Sequence, residues 1–254
     1  MPNQCCYFKF ILFVTGQGEK QYLPILFRTL SSSGTCSFLV KEFVPQLRPI
    51  TSSKRTIYMV RTGQKLPDKD FERISSPARR YIQQDPCHRV LLIDDLENIS
   101  EEEAKGTFKR YRDALNSGLN DELRRRAAVH FLVNMLEAYF FAHVEALNTA
   151  LELEPPLAAD DGDVEAIRHP KGNLKQIFPA YRETEHPGLI LNWLDLGVVL
   201  SNPNHCASLR TCVKWIVNQI QADLAPDLQP NFDAYNFEES FHLITGKLYS
   251  ITCQ

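Results

Sequence analysis

The segment Tyr7–Val14 constrains the fold more than any other part of the chain. It reads Tyr-Phe-Lys-Phe-Ile-Leu-Phe-Val, almost continuously apolar and aromatic. A strand with one wet face alternates polar and apolar side chains. An unbroken run belongs to a strand covered on both faces, as in parallel sheets sandwiched between helices. The run is too short to span a membrane. It has no basic lead-in and no evident small-residue cleavage site, and it passes directly into Gly16-Gln17-Gly18-Glu19. It therefore reads as a first strand, not a signal peptide. His88-Arg89-Val90-Leu91-Leu92-Ile93 repeats the pattern and runs into Asp94-Asp95-Leu96-Glu97, so a second buried strand delivers acids at its carboxyl end.

The rest of the chain alternates with these strands. Tyr22, Leu23, Leu26, Phe27 and Leu30 share a face of a helix expected over about Glu19–Leu30. Pro24 within it is tolerable only if the helix begins late. Phe38–Val44 and Arg55–Val60 read as strands, and Asp70–Gln84 as a helix restarted at Pro77. Ser100-Glu101-Glu102-Glu103 forms a capping box ahead of Ala104, Phe108, Tyr111 and Leu115 at helical spacing. Ala128–Val133 followed by Asn134–Leu151 is either a strand and a helix or one long helix; periodicity does not decide. Prolines and acids over Pro155–Asp163 mark a loop or linker. Asn173–Phe178, Leu189–Leu200 and Ala207–Ala222 read as helices. The order predicts an α/β fold with a largely parallel sheet flanked by helices. It divides into a core over 1–152 and a mainly helical portion over 164–254 packed on it. In such sheets ligands bind outside the carboxyl ends of the strands.

With 28 basic against 31 acidic residues the net charge is −3, which excludes a protein that coats nucleic acid by bulk electrostatics. Contact with a polyanion would need a local basic face or a partner subunit. No run of apolar residues is long enough for a membrane span. Seven cysteines, at 5, 6, 36, 87, 206, 212 and 253, form no CxxC pair and fit reduced, mostly buried thiols of a cytoplasmic protein. No Cys/His cluster has zinc-ligand spacing.

Four places carry possible chemistry. Gly16 and Gly18 after the first strand would let backbone approach a phosphate at a helix N-terminus. Neither GxGxxG nor GK[ST] is present, and taken alone the same residues read as a plain strand-to-helix turn. Asp94, Asp95 and Glu97 form a hard-oxygen group suited to Mg²⁺, or else a capping aspartate with solvated neighbours. Glu137, in Met-Leu-Glu-Ala-Tyr-Phe-Phe, faces either solvent or a polar site, because an unpartnered carboxylate is not buried. Lys171 and Lys175 share a helix face and suit phosphate contact or a solvated loop. The basic runs Lys105–Arg112 and Arg124–Arg126 read as solvent faces of helices.

Taken in order, these motifs resemble a known family. Phe13-Val14-Thr15-Gly16-Gln17-Gly18-Glu19 is similar to the first motif of Toprim-type domains, and Leu91-Leu92-Ile93-Asp94-Asp95-Leu96-Glu97 to their acidic strand. Met135–Phe141, His169–Phe178 and Leu200–Pro203 resemble the Toprim-related bacterial domains designated DUF4276. The resemblance implies a Toprim/Rossmann-like core and Mg²⁺- or Mn²⁺-dependent cleavage of DNA or RNA. Glu19, Asp94 and Glu137 would be its catalytic acids, and Asp94, Asp95 and Glu97 its metal ligands. It further implies an ABC/AAA-type ATPase partner and a role in anti-phage defence. The chain departs from the pattern where Thr15 stands for the usual glutamate and Leu96 for the second acid of Asp-x-Asp. A hydroxyl is a poor general base and a poor metal ligand beside a carboxylate. The site is then rewired around Glu19, Asp94, Asp95, Glu97 and Glu137, binds metal without turnover, or is degenerate and serves an interaction. A small-molecule phosphotransferase is a third class, without a nucleotide fingerprint to favour it.

Overall fold

The computed structural model describes residues 5–44, 57–59, 65–97, 100–160, 162–203, 205–228, 230 and 232. Strands β1 (Phe8–Val14), β2 (Cys36–Phe43), β3 (Ile57–Met59), β4 (Lys65–Pro67), β5 (His88–Leu96) and β6 (Ala127–Val133) alternate with helices. The helices are α1 (Gln17–Leu26), α2 (Arg28–Ser31), α3 (Asp68–Asp70), α4 (Ser76–Gln84), α5 (Glu101–Gly118) and α6 (Asp121–Arg124), then α7 (Val144–Leu151), α8 (Pro170–Ile177), α9 (His186–Trp193), α10 (Leu196–Val199) and α11 (Ala207–Asp223). A π turn over Phe71–Ser75 joins α3 to α4, and short 3₁₀ helices cover Leu136–Ala142 and Val164–Ala166.

β2-β1-β5-β6 form one wholly parallel sheet, so the fold is the expected α/β, Rossmann-like one. Side chains on successive strand positions point to opposite faces, and the core divides accordingly. Phe10, Leu12, Val14, Leu91 and Ile93 meet Leu23, Leu26, Leu147, Ile190, Leu209, Val213 and Ile216 on one face. Ile11, Phe13, Leu92 and Leu96 meet Ile74, Ile82, Ala104, Tyr111 and Leu115 on the other. Helices from after residue 164 thus share an apolar layer with α1. The strand order reverses between β1 and β5, the position at which open α/β sheets leave a crevice at their carboxyl ends.

Several local expectations change. The strand expected over Arg55–Val60 contributes Ile57–Met59, which pairs antiparallel with β4 in a separate two-stranded sheet and leaves the main sheet with four strands; 55, 56 and 60 lie outside the described residues. Pro24 does not delay α1, which starts at Gln17. It sits in the last turn, where the helix gives way at Phe27, so the break falls after the proline. A single helix over Ala128–Leu151 is excluded by β6. The run then passes through positive φ at Asn134 (55°) and Met135 (74°) into a 3₁₀ turn, because a helix cannot continue through two left-handed residues. Leu189–Leu200 breaks at Leu194–Asp195, where the Asp195 side chain accepts from Gly197 N (2.7 Å) and caps α10.

The Ser100 capping box forms as expected, Glu103 N donating to Ser100 Oγ (3.2 Å) and Ser100 N to Glu103 Oε2 (2.9 Å). The all-reduced reading of the cysteines fails at one pair: Cys5 and Cys87 are disulfide-bonded, while Cys6, Cys36, Cys206 and Cys212 are free. Cys253 lies outside the described residues. Beside the disulfide, the buried Arg89 donates to Gln219 (2.8 Å), Pro86 O (2.8 Å) and Asp223, tying the end of α11 to the amino end of the sheet. Among the described residues no helix is long and apolar enough to cross a membrane.

Candidate functional site

The carboxyl ends of β1, β5 and β6 bring acids from distant sequence positions to one place. Alternation along β5 separates its two aspartates. Asp94 shares a face with Leu92 and Leu96, against α5; Asp95 shares a face with Leu91 and Ile93.

Asp94 is buried and well supplied with donors. Thr15 donates from Oγ1 to Asp94 Oδ1 (2.5 Å), Tyr111 from its hydroxyl to Oδ2 (2.8 Å), and Asp95 N to Oδ1 (2.9 Å). Burial, reinforced by the Asp94 charge, pushes the Tyr111 hydroxyl far up, so it remains a donor. Leu96, at the second position of the expected Asp-x-Asp, is buried in the apolar layer under α5.

Asp95 has the opposite environment. Its Oδ1 accepts from Met135 N (2.9 Å), which fixes the strained turn after β6. Burial comes first and the charges of Glu19, Glu97 and Glu137 next in pushing its carboxyl up to about 8. Glu97 is exposed at the end of β5. Glu19 lies in the first turn of α1 and folds back over Gly16. A Cβ at Gly16 would stand 1.8 Å from Glu19 Oε2, so that glycine is required by contact. Gly18 has open space around its Cα. The Glu19 carboxylate thus occupies the helix N-terminus where a phosphate was expected, and Oε2 is buried with no hydrogen-bond partner among the described residues. Burial raises its carboxyl; its own backbone N–H pulls the other way.

Glu137 opens the 3₁₀ turn after β6 and is buried, which raises its carboxyl; Lys171, 3.9 Å from its Oε1, counters this. Lys171 stands in the first turn of α8 and also reaches Glu183 Oε2 (3.6 Å). Lys175 pairs with Glu183 Oε1 (2.9 Å). The structure therefore groups Glu19, Asp95, Glu97, Glu137 and Lys171, with Asp94 behind Asp95 and Lys175 at the rim.

Sequence reasoning passed over Tyr111, Tyr181 and Glu183. The Tyr181 hydroxyl is buried without a hydrogen-bond partner among the described residues, and burial with the charges of Glu137 and Glu183 keeps it protonated. Tyr111 was legible only as a core position of α5. Nothing in the local sequence marks Tyr181 or Glu183.

Chemically the arrangement is a group of carboxylates beside the half-buried Lys171. Hard oxygens with excess negative charge suit a divalent cation, which Asp95, Glu137 and Glu97 could hold with Glu19 beside them. With the side chains as they stand, no group of three or more His, Cys, Asp or Glu among the described residues is close enough to hold a metal ion.

A family model described as a domain of unknown function, DUF4276, matches residues 40–214. No curated protein and no solved structure matches the chain. The matched span holds Asp94, Asp95, Glu97, Glu137, Lys171 and Lys175, while Thr15 to Glu19 precede it. It covers more than half of the sequence, and the chain belongs to the DUF4276 family.

Proposed function

We propose that this site binds Mg²⁺ or Mn²⁺ and cleaves phosphodiesters of DNA or RNA, as a cytoplasmic, Toprim-like effector. The observation that carries the reading is the convergence of Glu19, Glu97 and Glu137 on Asp95, whose carboxyl is raised to about 8, with Glu19 Oε2 buried and without a hydrogen-bond partner among the described residues. Resemblance to Toprim-related domains supports the fold analogy, the ATPase partner of the ABC/AAA type and the anti-phage role.

A divalent ion would supply Lewis acidity to a phosphoryl oxygen and lower the pKa of a bound water. Asp95, Glu137 and Glu97 would hold it. Glu19, raised by burial and without a hydrogen-bond partner at Oε2 among the described residues, would take the proton from the attacking water, a task that favours a raised carboxyl. Lys171 restrains Glu137 and offsets part of the negative charge that would repel a phosphate. Asp94 acts through Asp95: held by Thr15 and Tyr111, it sets the strand end and accepts from Asp95 N. It is a positioning residue in this scheme.

A second reading, a non-catalytic interaction subunit, is favoured by Thr15 itself. It replaces the glutamate of the Toprim motif and is bonded to Asp94, so the first-motif position carries no free acid.

Purified full-length chain, incubated with end-labelled DNA and RNA and Mg²⁺ or Mn²⁺, separates them. Cleavage lost in Asp95→Asn and Glu137→Gln supports the enzyme. Cleavage unchanged in both variants contradicts this site. Absence of cleavage in the wild type, with cleavage gained in Thr15→Glu, establishes the second reading.

A further inference from the structure

Charge is distributed unevenly along the chain. Residues 45–84 carry nine basic side chains against three acidic ones, whereas the remainder carries nineteen against twenty-eight. A chain of net charge −3 thus contains one segment of about +6, between β2 and β5. Topology places the start of that segment at the acidic end of the molecule. β2 is parallel to β1, and Val44 N donates to Val14 O (2.8 Å), so the chain leaves the sheet at its carboxyl end. It returns through α3, the π turn and α4 to the start of β5 at His88. Asp70 is buried against Arg110, and the adjacent Tyr111 reaches Asp94. Lys69 therefore stands beside a residue linked through Arg110 and Tyr111 to the carboxylate site.

Among the described residues, Lys9, Lys20, Lys41, Arg125 and Arg168 are exposed cations without a side-chain partner that stand singly along the chain, whereas this stretch holds three such cations within residues 69–79. Lys171 and Lys175 are held by Glu137 and Glu183. Arg112, Arg124 and Arg126 spend their guanidinium groups on backbone carbonyls, such as Ala127 O (2.7 Å), Leu119 O (3.1 Å) and Ile82 O (2.9 Å). Lys69, Arg73 and Arg79 are exposed, and none has an ion-pair or hydrogen-bond partner among the described residues. Arg80 adds an exposed charge shared with Glu42 (3.1 Å), and Glu72 is an exposed acid on the same stretch.

We infer that Lys69, Arg73 and Arg79, on the outer face of the α3–α4 stretch, form a docking surface for the phosphate backbone of a nucleic acid and lead it toward the carboxylate site. The inference rests on the phosphodiester reading above for its direction, but the surface is defined by charge alone. Unpaired, exposed cations gain most from a polyanion, because they release its counterions without first breaking an ion pair. The carboxylate site repels phosphate unless a cation neutralises it, so backbone contact has to come from beside it.

The test is fluorescence anisotropy of labelled single- and double-stranded 30-mers, in EDTA, over a salt series, with full-length wild type, Arg73→Glu/Arg79→Glu and Arg125→Glu. Both arginines are exposed, and unchanged circular dichroism and melting show the double variant folded. The expected result is binding that weakens with salt in the wild type. The double variant should lose about tenfold or more in affinity, with a salt slope shallower by about two ions. Arg125→Glu, which reverses an exposed charge at the C-terminal end of α6, should bind as well as wild type. No binding by the wild type, or equal affinity in the double variant, overturns the inference. So does loss in the double variant of binding to phosphatidylserine vesicles without any change toward DNA or RNA. Intact binding with no cleavage by the wild type rejects the catalytic reading and leaves the docking surface standing.

Discussion

Asp94 and Asp95 are adjacent on one strand and live in opposite surroundings. Asp94 is met by two hydroxyls and a backbone N–H. Asp95 accepts from the strained turn at Met135 and lies among the charges of Glu19, Glu97 and Glu137. The first carboxylate is held in place by donors built into β1 and α5. The second is destabilised as an anion, and the fold keeps it so. An acid met by donors locks geometry; one raised by burial and neighbouring charge is poised to accept a proton or a cation. Strand alternation makes this division possible, since neighbours on a strand cannot share a face.

The largest effect should come from removing the satisfied acid. Asp94→Leu strands the Thr15 and Tyr111 hydroxyls in a buried site, and each lost acceptor costs about 1–3 kcal/mol. A loss of about 3 kcal/mol or more in urea unfolding is expected; a loss below about 1 kcal/mol would show that the hydroxyl clamp contributes little. Asp95→Asn should move the other way. The asparagine keeps an oxygen for Met135 N and removes the charge facing Glu19, Glu97 and Glu137. After discounting for partial exposure, a gain of about 1–2 kcal/mol without divalent ions is expected at pH 8.

The pH dependence carries a definite sign. The folded-state carboxyl of Asp95 lies at about 8, above its ordinary 3.8, so the folded protein binds that proton more tightly than the unfolded chain. Its contribution to stability is therefore greatest at low pH and declines as pH rises between those two values. Melting of Asp95→Asn in metal-free buffer should lack this component, and an identical pH slope in both proteins would break the contrast. The smallest effect belongs to Thr15→Val, which removes one of the donors to Asp94. About 1 kcal/mol should be lost, with the pH slope of Asp95 preserved.

The sheet was legible because buried parallel strands announce themselves as unbroken apolar runs, as at Tyr7–Val14 and His88–Ile93. The capping box at Ser100 was equally plain, since its two partners are three residues apart. The split between Asp94 and Asp95 follows from the same period of two, yet an acidic cluster read as a unit hides it. Other features depend on distant partners. Thr15 and Asp94 are 79 residues apart, and Cys5 and Cys87 are 82 apart. The 3₁₀ turn that carries Glu137 follows two left-handed residues, Asn134 and Met135, whose conformation is bound to Glu165 O and to Asp95 through hydrogen bonds of 2.8 and 2.9 Å. No local propensity encodes such contacts.

The most direct measurement is the thermal shift produced by Mn²⁺ or Mg²⁺ in the full-length protein at pH 6 and pH 8. A cation held at Asp95 competes with the proton there, so a saturable rise in Tm is predicted, larger at pH 8. At a hundredfold excess over Kd the stabilisation should approach about 2.7 kcal/mol. The rise should vanish in Asp95→Asn and persist in Thr15→Val. A wild type that melts at the same temperature with and without either ion, or an Asp95→Asn variant that shifts as far as wild type, would contradict a cation site at the carboxyl end of this sheet.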